Sequence, residues 1–163
     1  MVDAQGTDAT GRLTKVVLEG EALHRISALQ QADREQAVRD LAQENEFHLP
    51  GHPDLQSILH LSIQEGRLVF DVRDAQDAPV QAVLLALGPF KMLIRDYQML
   101  LDSYAMAVAE GREARIQAID MGRRGLHNEG AELMIERLGG KVVIDFPTAR
   151  RLFTLVCALH QKL

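Results

Sequence analysis

Two short stretches of strict alternation, facing each other across a turn, constrain this chain more than any other feature. Leu59-His60-Leu61-Ser62-Ile63 sends every second side chain to one face, Glu65-Gly66 supplies a turn, and Leu68-Val69-Phe70-Asp71-Val72 alternates again. That pattern specifies a β-hairpin with one apolar face, which other elements have to cover. His60 falls on the opposite, polar face.

The covering elements follow from the change of period. Arg12 to Glu19 alternates and reads as a strand. From Ala32 to Phe47 the apolar residues Ala37, Val38, Leu41 and Ala42 recur at helical spacing, with Asp33 and Asp40 placed to pair with arginines of the same helix. Pro50, Gly51 and Pro53 end that helix. Pro79 to Leu87 is more continuously apolar, so it is expected as a third meander strand buried on both faces. Gly88-Pro89 opens a long helix over residues 90–108, closed by Gly111. Its inner face, Phe90, Leu93, Ile94, Tyr97, Leu100, Leu101, Tyr104 and Val108, should meet the sheet. At ~100° per residue, Met92, Met99 and Met106 fall on the other side. They predict either a gap-filling contact with another helix or a seam between two copies of the chain. Arg112 to Leu138 is helical, Gly139-Gly140 stops it, and Val142 to Ile144 is extended. Asp145 caps a last helix whose face is Ala149, Leu152, Phe153, Val156 and Leu159. The expected fold is α+β: an antiparallel sheet of about four strands, with a C-terminal set of three helices packed on it. Residues 12–163 form one domain and residues 1–11 a disordered tail.

Composition narrows the function. The chain is 47% hydrophobic over 163 residues, enough to bury a core without metal or disulfide staples. Its single cysteine, Cys157, sits in an apolar helix stretch and reads as a buried structural thiol. A net charge of −5 argues against a general nucleic-acid binder, and the absence of Trp against a base-stacking platform. No apolar run is long enough for a membrane span, and the polar opening stretch is no signal peptide. A cytoplasmic protein is expected. No zinc, phosphate-loop, dinucleotide or nucleophile-elbow pattern is present, so neither metal nor cofactor is expected. His48 and His52 are separated by Pro50 and Gly51, which rules out a helical metal pair; His24 and His160 stand alone.

The chemistry concentrates in Asp120-Met121-Gly122-Arg123-Arg124-Gly125-Leu126-His127-Asn128-Glu129-Gly130. Three glycines within nine residues would cost a continuous helix roughly 3 kcal/mol relative to alanine. Either a neighbouring backbone approaches Gly122 and Gly125 closely, or the helix breaks. On a helix, Asp120, Arg124, His127 and Asn128 share one face. The leading reading is a binding or regulatory module that recognises an anionic group, on a small molecule or a protein partner, through Arg123, Arg124, His127 and Asn128. Arg124 would be held by Asp120, leaving Arg123 to reach across to another element or the ligand. The rival is a small hydrolase or transferase with His127 as general acid/base, Asp120 or Glu129 orienting it and the arginines as clamps. A buried ion-pair scaffold is the third. Arg150-Arg151, near the start of the last helix, reads as solvated charge.

These residues carry a resemblance. The stretch AIDMGRRGLHNEGAELMIERLGGKVVIDFPTARRLFTLVCALH resembles the C-terminal block of an uncharacterised bacterial family, UPF0262, and HLSIQEGRLVFDVR and GPFKMLIRDYQMLLDSY are similar to it as well. The likeness runs from about Arg12 to His160. It implies a small cytosolic protein with no activity or cofactor to carry over, and it marks Asp120 to Glu129 as a family feature.

Overall fold

The structure is a computed structural model that describes residues 11–20 and 27–160. The tail expected over residues 1–11 lies outside the described residues except for Gly11, as does His24. Gly11 belongs to the fold. Its N–H donates to the Pro53 carbonyl at 2.6 Å and its carbonyl accepts from Phe47. A Cβ at this position would sit 2.7 Å from His48 Cβ, so the close approach requires glycine.

Strand β1 (Arg12–Leu18) leads to helix α1 (Ala28–Gln43), then to β2 (Phe47–His48), β3 (Gln56–Gln64), β4 (Arg67–Arg73) and β5 (Pro79–Ala86). Three C-terminal helices follow: α2 (Gly88–Ala109), α3 (Glu113–Leu138) and, after β6 (Val143–Ile144), α4 (Phe146–Leu159). The main sheet has the order β1-β3-β4-β5. The hairpin forms as its alternation predicts, with Leu61 opposite Phe70 and both turn residues, Glu65 and Gly66, at positive φ.

The class is α+β, but the sheet is mixed rather than antiparallel. β1 runs parallel to β3, while β3-β4 and β4-β5 are antiparallel. The cause is α1, which returns the chain to the end where β1 began, as a parallel pair requires. The strand β5 is also not buried on both faces. It is an edge strand: Val83 and Leu85 point into the core, while Leu84 is 48% exposed. Among the described residues nothing covers its outward side chains, so a continuous apolar run overstated its burial.

Helix α1 begins at the Ser27 cap and stops earlier than its spacing suggested. Asn45 intervenes. Its amide donates to the carbonyls of Leu41 and Leu13 at 2.8 and 2.9 Å and its oxygen accepts from Leu13 N–H, tying the helix end to β1. Phe47 then pairs with Ile144 in a two-stranded ribbon.

The central helix is α4. It lies on β3 and packs against α1 and α3, and from Thr148 to Ala158 all its residues except Arg150 and Arg151 are buried. Helix α2 packs along α3 instead of on the sheet. Its inner face is covered, with Phe90 and Phe153 ring centroids 6.5 Å apart, but Val108 is exposed and Met92, Met99 and Met106 are 68%, 60% and 63% exposed. Among the described residues, no helix fills space over them. Helix α3 is unbroken despite its glycines. The residue that permits a close approach is Gly130, where a Cβ would lie 2.3 Å from Phe153 ring atoms. Gly122 meets only the Leu100 side chain, at ordinary contact distance, and Gly125 faces open space.

Candidate functional site

Where α1, α3 and α4 meet, a pocket of about 160 Å³ opens, lined by Asp33, Gln36, Ala37, Asp40, Arg123, Arg124, His127, Arg150, Arg151 and Thr154. The polar block predicted on α3 supplies three of these residues. The acidic wall comes from α1. The pair Arg150-Arg151, read from the sequence as solvated charge, supplies the opposite wall because α4 is central and carries its first turns past α3.

Arg123 is the structural hub. Its Nη1 donates to Asp33 Oδ1 at 2.7 Å and its Nη2 to Asp120, while Asp33 also accepts from the Tyr97 hydroxyl at 2.7 Å. Burial alone would depress the Arg123 guanidinium, but Asp33 and Asp120 outweigh it and its pKa is raised. Arg124 reaches Asp120 Oδ2 at 3.2 Å, yet its side chain is 69% exposed. Asp120 therefore holds both arginines. Arg123 does reach across to another element, but Asp120 holds it as well as Arg124, and of the two Arg123 is the buried partner and Arg124 the exposed one. On α1, Asp33 pairs across to Arg123, and Asp40 accepts from Gln36 and lies 3.7 Å from Arg151.

Arg150 differs from the other three arginines. Its Nε donates to Asn128 Oδ1 at 2.9 Å, but no carboxylate pairs with it among the described residues. Burial, and then the fields of Arg123, Arg151 and Arg124, lower its pKa. Counting Asp120, three carboxylates face four arginines, which leaves one positive charge uncompensated.

His127 is buried, with its ring 5.3 Å from Tyr97 and 6.4 Å edge-on from Phe153. Burial, with Arg150 and Arg123 close by, pushes it down to about 3, so it is neutral at neutral pH. Its Nε2 has no hydrogen-bond partner among the described residues. Neither candidate carboxylate orients it: Asp120 is engaged by two arginines, and Glu129 lies on the far side of α3, beside Met92 and Glu132. The structure thus brings Arg123, Arg124 and His127 together, adds Asn128 through Arg150, and leaves Glu129 out.

Elsewhere, Cys157 is fully buried and its thiol is pushed up, consistent with a structural role. His60 is buried between Glu19 at 2.6 Å and Asp77 at 2.8 Å. Burial would lower its pKa, but the two carboxylates raise it. Among the described residues, no group of His, Cys, Asp or Glu could hold a metal ion, and no helix is long and apolar enough to cross a membrane.

A model for an uncharacterised protein family, UPF0262, matches residues 10–162. The chain belongs to that family. A UPF0262 protein of Acidiphilium cryptum is 67% identical over 152 residues, covering 93% of this chain and 94% of the relative. One from Granulibacter bethesdensis is 63% identical and covers 95% and 93%. A third, from Rhodospirillum rubrum, is 49% identical over 80% of each chain. These UPF0262 proteins are bacterial, and their names state no activity. No solved structure matches the chain.

Proposed function

We propose that this UPF0262 protein is a binding or regulatory module of the bacterial cytoplasm that recognises an anionic group in the α1/α3/α4 pocket. The observation that carries this reading is Arg150: a half-buried guanidinium with no ion-paired carboxylate among the described residues, its charge disfavoured by burial and by three neighbouring arginines. An anion beside it would relieve that strain, because hydrogen bonds between charged partners are roughly twice as strong as neutral ones. Asn128 fixes the Arg150 side chain through Nε and leaves both terminal nitrogens for the ligand. Arg124, exposed at the rim, swings in as the second cationic contact. Neutral His127 serves as wall rather than acid/base, since a group protonated only near pH 3 takes up no proton at neutral pH.

Isothermal titration with inorganic phosphate and with acetate tests the reading. Wild type binds at least one of them, and Arg150→Ala abolishes that binding while the melting temperature without ligand stays within a few degrees. Wild-type protein that binds neither anion contradicts the proposal.

A further inference from the structure

We infer that the α2/α3 face is the seam of a two-fold homodimer, in which the basic flank of α2 on one copy fits the acidic groove of the other. The methionines Met92, Met99 and Met106 stand exposed along one stripe of α2, at 68%, 60% and 63%. Contiguous apolar surface of this kind marks an interface rather than a solvated face. The charges beside the stripe say what covers it.

On one side, Pro89, Met92, Leu93 and Leu133 floor a shallow groove between the helices, rimmed by Asp96, Glu129, Glu132 and Glu136. None of these four carboxylates has an ion-pair partner among the described residues. On the other side of the stripe, at the same height along α2, stand Lys91 and Arg95, both exposed and likewise without a paired carboxylate. At ~100° per residue, Asp96 falls about 40° to one side of Met92, and Arg95 and Lys91 fall about 60° and 100° to the other.

That handedness selects the symmetry. A two-fold axis parallel to α2 sets the two helices side by side in the same direction, Met92 against Met92 and Met99 against Met99. It also exchanges the flanks, so that Lys91 and Arg95 of each copy face the Asp96/Glu129/Glu132/Glu136 rim of the other. An axis perpendicular to α2 would instead oppose acid to acid. The contact is isologous, and the charge pairing is made twice. Rim pairs of this kind set register and orientation more than affinity, which the methionines supply.

Charge exchange tests the seam without disturbing the fold, because every substituted side chain is exposed. Light scattering at tens of micromolar should give twice the 18.1 kDa chain mass for wild type. The variant Lys91→Glu/Arg95→Glu opposes acid to acid, and Glu132→Lys/Glu136→Lys opposes base to base. Each should dissociate about tenfold or more readily. An equimolar mixture of the two variants restores both pairings and should return to dimer mass. A monomeric wild type, a variant that dimerises as well as wild type, or a mixture that stays monomeric would each overturn the inference.

Discussion

Arg123 and Arg124 are adjacent in sequence and both bind Asp120, yet their removal should have very different consequences. The Arg123 side chain is only 15% exposed and bridges Asp33, 13% exposed, to Asp120. Arg123→Ala strands the Asp33 carboxylate in a site where, among the described residues, the Tyr97 hydroxyl still donates to it. Breaking a buried pair by removing one partner costs about 3–5 kcal/mol; because both groups keep some solvent contact, the lower end applies. For a chain of this size that is a fall in melting temperature of roughly 6–12 °C. Arg124→Ala deletes a largely solvated contact and should cost under ~1 kcal/mol. Urea unfolding followed by circular dichroism measures both, and Asp33→Asn should recover part of the loss in the Arg123→Ala background, since it removes the stranded charge. Equal losses in the two single variants, or no recovery in the double, would refute the assignment of Arg123 as the buried hub.

The helix α3 glycines divide in the same manner. Gly130→Ala drives a methyl into the Phe153 ring and should destabilise by about 1–3 kcal/mol or more, whereas Gly125→Ala meets open space and should stabilise by up to ~1 kcal/mol through helix propensity; thermal melts check both signs. His127 links stability to acid. Its folded pKa, about 3, lies below the ordinary 6.5, so its contribution is complete above pH 6.5 and is lost as pH falls toward 3, at up to about 1.4 kcal/mol per pH unit. His127→Phe should flatten that acid-side slope in urea titrations at pH 7 and 4.5, and an unchanged slope would mean the imidazole is not buried neutral.

The hairpin, the three C-terminal helices and the Asp145 cap were legible because each rests on local chemistry: alternation, helical period, a side-chain oxygen before a helix. The parallel β1-β3 pairing was not, since nothing in either strand records which way α1 returns the chain. Likewise, α2 and α4 both show an apolar face, and only packing reveals that α4 is buried on all sides but its Arg150-Arg151 edge and lies on the sheet. Within the site, Arg123, Arg124, His127 and Asn128 were found as a cluster in one helix. Asp33, Gln36 and Asp40 were missed as site residues because they stand some 90 residues away on α1 and look like an ordinary solvated helix face. Arg150 was discounted for the same reason: its importance comes from the three arginines packed around it, not from its neighbours in sequence.

The most direct test of the anion site is a calorimetric titration of Arg150→Lys and Arg150→Ala beside wild type, with phosphate and acetate as probes. Lysine keeps the charge but not the planar fork, so the account predicts weakened binding in Arg150→Lys and none in Arg150→Ala, with all three proteins equally folded. Binding by Arg150→Ala as tight as wild type's would contradict it, because the uncompensated guanidinium would then not be the anchor.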